Sequence, residues 1–501
     1  MNNEHTNCSH VWKNKNISAK WLANKYMERF RCNVEMPPRL LRQIVDEDFK
    51  AEISKWVAYN ARAIAKKEIQ GNAEQQYKDI WRYCAEIKRT HPNTTMEVMF
   101  TPFRQPGCNP KFMRLYCCLG PLKQGFLDGC RPIIRVDGCH IKAEYRGQLL
   151  TAIGVDPNNG WWPIAWAVVE REATEQWKWF FELLKNDLQI ENGYSYTFVS
   201  DQQKGLDRAL SEVLPNSEHR YCVQHLYNNF KKKHRGLALK TKLWNIAAST
   251  TEGLFKKASA DLENFDKEAY EWVKKAPHPS HWCKTFFSEH TRCDMLVNNL
   301  CESFNGHILE ARQQPIITML ESIRIFLMER IQRRTTAMEK FELSIGPLIK
   351  KIIDDRVIES RQWRTIWNVV DGYQVRGPRG AQFAVYLKKK SCTCKLWDLS
   401  GIPCCHAIAA IHRNNGDPYK EVYDCYNRDL FLKIYKNVLY PINGQVMWPE
   451  TDGVDLDPPE RIVQPGRPKK ARRRDPTETQ KTGNSWLQGA ATRQSTTAES
   501  G

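Results

Sequence analysis

The spacing of apolar residues changes character several times along the chain, and each change marks a boundary. From about Leu40 to Lys88 apolar side chains recur near helical spacing through Phe49, Ile53, Trp56, Val57 and Tyr59, and Gly71 breaks the run. A further helix is predicted over Glu74 to Arg89, stopped by His91-Pro92-Asn93. Past Pro132 the pattern becomes short and β-branched. Ile133 to Asp137, Gln148 to Val155 and Trp162 to Glu170 read as strands, parted by polar turns at Glu144 to Gly147 and Asp156 to Gly160. Short links join antiparallel neighbours, so these three predict a meander. A helix over Thr174 to Leu188 follows, with Trp177, Phe180, Phe181, Leu184 and Leu188 on one face. Next come a strand over Tyr196 to Ser200, ending at Asp201, and a helix through Leu206 and Leu210. A strand, helix, strand step suits a crossover that sets the fourth strand parallel to a neighbour. The resulting β-β-β-α-β-α order is an α/β fold, a mixed sheet with helices packed on it.

From about Leu237 to Cys293 no strand pattern occurs. Leu243, Trp244, Phe255, Leu262, Tyr270 and Trp272 keep helical spacing until Pro277 and Pro279, which predicts an all-α insertion. Helices resume from Asp294 to about Arg334, with a kink or restart at Pro315. Phe383 to Lys388 reads as a strand leading into a cysteine cluster. After Pro458 the apolar content falls, and Thr477 to Gly501, rich in Ser, Thr, Gln and Gly, is expected to be disordered.

Composition narrows the class. A chain of 501 residues suggests roughly two to four domains. With 41% hydrophobic residues and 17 Trp it can bury a sizeable core, which excludes a wholly disordered chain. No run of about 18 apolar residues is present, so no transmembrane helix and no membrane partner are expected. The polar start carries no secretory pattern. An odd count of 17 Cys then argues for reduced thiols, some of them metal ligands. The net charge of +18 points to an acidic partner, nucleic acid ahead of a membrane surface, although a merely basic protein fits the charge alone.

Four groups of residues could carry chemistry. Cys392 with Cys394, and Cys404 with His406, form two pairs whose members share a side if the segments are extended. Three thiolates and an imidazole complete a tetrahedral zinc site with no open position, a structural site. Gly401-Ile402-Pro403 supplies the turn between the pairs, and Cys405, the nearest competitor, would point away. Second, Asp137 and Asp201 end two strands, and Glu302 lies on a helix after the insertion. Buried unpaired carboxylates are costly, and a divalent cation removes that cost; two such ions could serve phosphoryl transfer. Asp201 could equally cap the helix that follows it. Third, Cys222 and His225 stand at i and i+3, as a core pair or as two accessory ligands. His5 and Cys8 could be half of a finger. Fourth, six of the nine residues of Gly466-Arg467-Pro468-Lys469-Lys470-Ala471-Arg472-Arg473-Arg474 are basic. Such a run can lie in an A·T-rich minor groove, act as a nuclear localisation signal or be a solvated linker.

From about Lys20 to Arg474 the chain resembles plant Mutator-like element transposases of the MuDR group. The residues carrying the resemblance are Gly129-Cys130-Arg131-Pro132, Val136-Asp137-Gly138-Cys139-His140, Ser200-Asp201-Gln202-Gln203-Lys204-Gly205-Leu206 and Asn298-Asn299-Leu300-Cys301-Glu302-Ser303-Phe304-Asn305. Cys392 to His406 is similar to the SWIM-type zinc finger of that family, and Arg467, Lys469, Lys470, Arg472, Arg473 and Arg474 to its AT-hook-like tail. The resemblance implies an RNase H-like DDE domain over 120–335 with its helical insertion at about 237–293. Before it would lie a WRKY-like finger remnant at 1–31 and a helical region at 32–115. After it would lie the SWIM finger at 376–415 and a disordered basic tail at 458–501. It implies Asp137, Asp201 and Glu302 as catalytic acids on Mg²⁺ or Mn²⁺, a structural Zn²⁺, and Cys222 with His225 as the family's Cys-x-x-His element. It further implies a nuclear protein that acts, as a homo-oligomer, on double-stranded DNA at terminal inverted repeats, cutting and then joining. The N-terminal finger departs from the family, since only His5 and Cys8 match its last ligand pair. Two other readings stand beside this one. One is a transposase-derived DNA-binding regulator without catalysis, a descent that far-red-impaired-response-type regulators resemble. The other is a general RNase H-type nuclease.

Overall fold

The computed structural model describes residues 17–33, 36–69, 73–103 and 108–460. His5, Cys8 and the basic run from Arg467 to Arg474 lie outside them, as does the tail expected to be disordered.

Four helices open the described chain: Ala19–Lys25, Met27–Cys32, Pro38–Phe49 and Lys55–Ile69. Their apolar faces bury Leu22, Leu41, Val45, Ala58, Ala61 and Ala65 in a core of their own. Two more helices, Ala73–Lys78 and Ile80–Thr90, turn their apolar stripes toward the main core instead.

That core is built on a seven-stranded sheet. Its strands are β1 (Thr95–Phe100), β2 (Phe112–Cys118), β3 (Arg131–Ile141), β4 (Gly147–Val155), β5 (Trp161–Val169), β6 (Thr197–Ser200) and β7 (Glu218–Tyr221), in the order β1-β2-β5-β4-β3-β6-β7. The meander β3-β4-β5 is antiparallel as its short turns require, and β6 runs parallel to β3 after the Thr174–Asp187 helix. Every residue of β5 is buried, which explains its unbroken apolar run. Helices Gly120–Gly129, Thr174–Asp187 and Asn299–His307 all pack against it.

Three strands depart from the sequence reading. The 32–115 region is helical only as far as Thr90; β1 and β2 then extend the sheet beyond β5. In β2 the stretch from Leu115 to Cys118 is buried without alternation, so no period of two marks it. Strand β7 is too polar to read as core. It joins the sheet by parallel pairing with β6, and its Arg220, nearly fully buried, pairs with Glu218 at 2.8 Å and donates to the carbonyl of Cys293 at 2.7 Å.

The insertion is helical as expected: Leu237–Ala248, Glu252–Phe265 and Lys267–Lys275. After it the chain adds Asn299–His307 and the long Ile316–Glu339 helix, whose N-cap is Pro315. A second sheet of order β11-β10-β9-β8 comprises β8 (Arg364–Trp367), β9 (Gly372–Arg376), β10 (Gln382–Tyr386) and β11 (Ser391–Cys392). This unit therefore begins ahead of residue 376. The chain then returns to the first sheet. Phe431 and Tyr435 of the Arg428–Tyr435 helix enter the main core, and the Tyr435 hydroxyl donates to Asp156 at 2.9 Å.

One arginine bridges β3 to the chain that follows the cysteine cluster. Arg131, buried at the start of β3, donates to the Tyr426 hydroxyl at 2.9 Å and to the carbonyls of Arg292 and Asp156 at 3.1 and 3.2 Å. Tyr426 belongs to the unit that carries the cysteine cluster. Thr250, in the insertion, donates to the Cys394 carbonyl at 2.6 Å.

Candidate catalytic cleft and metal centre

Asp137 and Asp201 stand side by side. In the parallel pair, Arg135 of β3 is level with Val199 of β6; Asp137 lies two residues further along β3, and Asp201 directly follows the last residue of β6. The two are close enough for the Asp201 charge to act on Asp137. Asp201 is not a helix cap. Gln203 fills that place for the Lys204–Val213 helix, its side chain accepting from the Leu206 N–H at 2.6 Å. One carboxylate oxygen of Asp201, Oδ1, is buried and has no hydrogen-bond partner.

Glu172, which the sequence reading passed over, completes the acidic group. It follows β5, just before the Thr174–Asp187 helix. Its carboxyl lies so close to Gly138 that a Cβ there would sit 2.7 Å from Glu172 Cδ. The position of Gly138 beside Asp137 is what lets it in. The only signal in the sequence was an acid just past the most apolar strand.

These charges act on one another. Burial, then the neighbouring charges of Asp201 and Glu172, push the Asp137 carboxyl up to about 7; His225 and the Gly138 N–H oppose the rise. Burial also raises Glu172 and Asp201, and Asp201 adds to the rise of Glu172. His225 is pushed up to about 9, first by Cys222 beside it, then by Asp201 and Glu302.

The Asn299–His307 helix lies along β3. Asn298 donates through its side chain to the Val136 carbonyl at 3.0 Å, and Asn305 to Asp137 Oδ2 at 2.8 Å. Glu302 lies between them at i+4 and i−3, so it shares their face. It is exposed, on the rim of the cleft. Cys222 caps the Val223–Phe230 helix and its sulfur accepts the Asn298 N–H at 3.2 Å; it is fully buried, as a core cysteine is. His225 is half-buried, with Nδ1 unpartnered.

The cysteine cluster is tighter. Among the described residues, Cys392, Cys394, Cys404 and His406 are the group of candidate ligands whose donor atoms all lie within 4.8 Å of one another, and the cleft acids are spaced more openly. His406 Nδ1 is 3.7 Å from the sulfurs of both Cys392 and Cys404. The first pair sits as a strand end and turn. The second does not: Cys404 is the N-cap of the Cys405–Arg413 helix, so Cys404 and His406 converge through a helix start rather than an extended segment. Cys405, at the first helical position, stays out of the group. The other thiols act on Cys394, whose thiol is drawn down by hydrogen bonds from Cys392 and Cys404, while that of Cys392 is pushed up. His406 is held by stacking on Phe383, centroids 4.1 Å apart, and by the edge of Trp363.

Comparison with known proteins agrees with this layout. Residues 133–229 match the MULE transposase domain, a span that holds Asp137, Glu172, Asp201, Cys222 and His225. Residues 383–415 match the SWIM zinc finger and hold all four ligands of the cluster. The chain is similar to Protein FAR-RED IMPAIRED RESPONSE 1 of Arabidopsis thaliana, 24% identical over 217 residues, which is 41% of this chain and 26% of that protein. It is similar to Protein FAR1-RELATED SEQUENCE 6 of the same plant, 20% identical over 384 residues, 64% of this chain and 51% of that protein. The chain thus spans a quarter to a half of the length of these two relatives. Among the described residues no helix is long and apolar enough to cross a membrane.

Proposed function

We propose that this chain acts on double-stranded DNA through an RNase H-like domain of transposase descent, in which Asp137, Asp201 and Glu302, joined by Glu172, hold Mg²⁺ or Mn²⁺ for phosphoryl transfer. The observation that carries the reading is the placement of Asp137 on β3 and of Asp201 just past the end of the neighbouring parallel strand β6, with a buried Asp201 oxygen left unpartnered. The donor set fits the ion: hard carboxylate oxygens, crowded enough to raise one another's affinity for protons, suit a hard divalent cation. Bound there, such ions supply charge neutralisation for the attacking and leaving oxygens of an in-line displacement.

The protein's own residues do the rest. Asn305 fixes the orientation of Asp137, and Asn298 pins the Glu302 helix to β3. His225 offers positive charge beside Asp201 and Glu302. In the cutting step a water oxygen bonds to phosphorus as the P–O3′ bond breaks, leaving a 3′-hydroxyl and a 5′-phosphate. In the joining step that hydroxyl bonds to a target phosphorus and displaces the target's own 3′ oxygen.

Cys392, Cys394, Cys404 and His406 hold a closed, structural zinc in this reading. The finger region is tied to the start of β3 through Arg131 and to the insertion through Thr250. The basic tail adds minor-groove contacts, the protein works in the nucleus, and two copies pair the ends of the DNA.

A second reading has its own support. The likeness to two far-red-response proteins over as much as 64% of the chain favours a DNA-binding regulator descended from a transposase, with no catalysis. Mg²⁺- or Mn²⁺-dependent cleavage and joining of inverted-repeat DNA, taken from the gene's own flanks and run beside Glu302→Gln, separates the two. Products from the parent and none from the variant establish the enzyme. Binding without products in both establishes the regulator.

A further inference from the structure

One segment next to the cleft is far more basic than its fold needs. From Tyr221 to Thr251 the chain has no Asp or Glu, and Lys231, Lys232, Lys233, Arg235, Lys240 and Lys242 crowd into its middle. The basic run begins where the Val223–Phe230 helix ends. Both ends of that helix are anchored beside the cleft. The Cys222 N–H donates to the Ser200 carbonyl at 2.8 Å, and Asn229 donates to Gln202, next to Asp201, at 3.1 Å. Asn229 stands two residues before Lys231, so the basic run starts beside the residue that follows Asp201.

The run folds back on itself. Gly236, at φ 117°, adopts a conformation that L side chains rarely take, and it reverses the chain into the Leu237–Ala248 helix. Lys231 from the first arm and Lys240 from the second both lie over the ring of Tyr227, at 5.4 and 5.3 Å from its centroid. Lys242 lies over Phe265 at 5.0 Å. Lys232, Lys233 and Arg235 are exposed between the arms.

Local structure does not account for this charge. A lysine or two at the end of the first helix complement its dipole. Lys240, however, falls in the opening turn of the second helix, where positive charge opposes the dipole and where no acid sits. Surface that holds like charges together on a rigid frame, without carboxylates between them, concentrates a field that attracts an extended anion.

We infer that residues 231–242 form a track for the phosphate backbone of duplex DNA, leading it into the carboxylate cleft. This rests on the DNA-acting reading above, and it places DNA contacts on the helical insertion as well as in the basic tail. The Asn229–Gln202 bond holds the start of the track beside Asp201, so the track sets which phosphate reaches the acids.

The test is the salt dependence of binding of the full chain to a 30-bp duplex, with parent, Lys232→Gln/Lys233→Gln/Arg235→Gln, and a control, Lys256→Gln/Lys257→Gln/Lys267→Gln, that removes equal charge from an exposed part of the insertion rich in acids. Loss of three phosphate contacts flattens the slope of log K against log salt by about 2.7, and weakens binding at 0.15 M salt on the order of tenfold to a hundredfold. The control keeps the parent slope, and all three proteins keep one thermal midpoint. An unchanged slope in the track variant, or equal flattening in the control, overturns the track. A slope change seen with an RNA duplex and not with DNA overturns it too. A parent that fails to bind duplex DNA removes the DNA-acting reading itself; a parent that binds with a track-insensitive slope removes only the track.

Discussion

Asp137 on β3 neighbours Asp201, which directly follows the adjacent parallel strand β6, one carboxyl accepting from Asn305 and the other with a buried oxygen left without a hydrogen-bond partner. Burial and the Asp201 charge make Asp137 harder to ionise, and burial does the same to Asp201. Such an arrangement is unfavourable in the metal-free chain, and its titration gives a first prediction.

Asp137 has its folded value raised to about 7 from an ordinary 3.8. Below about pH 4 it is protonated in both folded and unfolded chains and contributes nothing. Between about pH 4 and 7 the unfolded chain releases the proton first, so stability falls as pH rises. Above 7 the folded chain carries the full penalty, roughly 2–4 kcal/mol. Metal-free Asp137→Asn is therefore expected to melt higher than the parent at pH 8 and level with it at pH 4. Mg²⁺ should raise the parent's midpoint at pH 8 and leave the variant's unmoved. A parent midpoint that ignores both pH and Mg²⁺ refutes the metal-site reading.

Glu172 should matter to the ion and not to the fold. Its hydrogen bond to the Trp177 indole is long, 3.4 Å, and Gln can retain it. Glu172→Gln is expected to weaken Mn²⁺ binding about 10–100-fold by calorimetry, with the thermal midpoint of the metal-free chain unchanged or higher. Gly138→Ala should weaken it as well, because the added methyl displaces the Glu172 carboxyl. Unaltered Mn²⁺ affinity in both variants excludes Glu172 from the site.

Zinc should follow the four ligands and ignore the fifth thiol. One zinc per chain is expected, lost in Cys392→Ser/Cys394→Ser and kept in Cys405→Ser. Stripping the metal with a chelator should unfold the β8–β11 unit first, since its small core is organised around the cluster. Hydrogen exchange would then rise at Thr250 as its bond to Cys394 is released. Zinc retained in the double variant would remove the site.

Arg131 should be a keystone of stability. Its removal leaves the Tyr426 hydroxyl and the carbonyls of Arg292 and Asp156 without its donors. Arg131→Ala is expected to cost about 3 kcal/mol or more, read as a drop of several degrees in melting temperature. Arg131→Lys should rescue little, because one ammonium cannot replace a planar fork that also stacks over Tyr426 at 4.8 Å.

What the sequence settled by itself was whatever local periodicity and spacing encode. The meander from β3 to β5 announces itself through short polar turns between apolar runs. The Thr174–Asp187 helix does so through one aromatic face, the insertion through unbroken helical spacing, and the zinc ligands through paired spacing. What only the tertiary structure decided depends on residues far apart in the chain. Strand β7 is polar and takes its edge place by pairing with β6, its Arg220 buried against Glu218 and the Cys293 carbonyl. Asp201 loses the capping role its position suggests because Gln203 takes it. Glu172 joins Asp137 because a glycine on another strand leaves room for its carboxyl. The pairing of Cys404 with His406 comes from a helix start, whose geometry the two-residue spacing does not distinguish from a strand. In each case the deciding energy is the desolvation of a charged or polar group, and its partner is supplied by the fold and not by the neighbouring sequence.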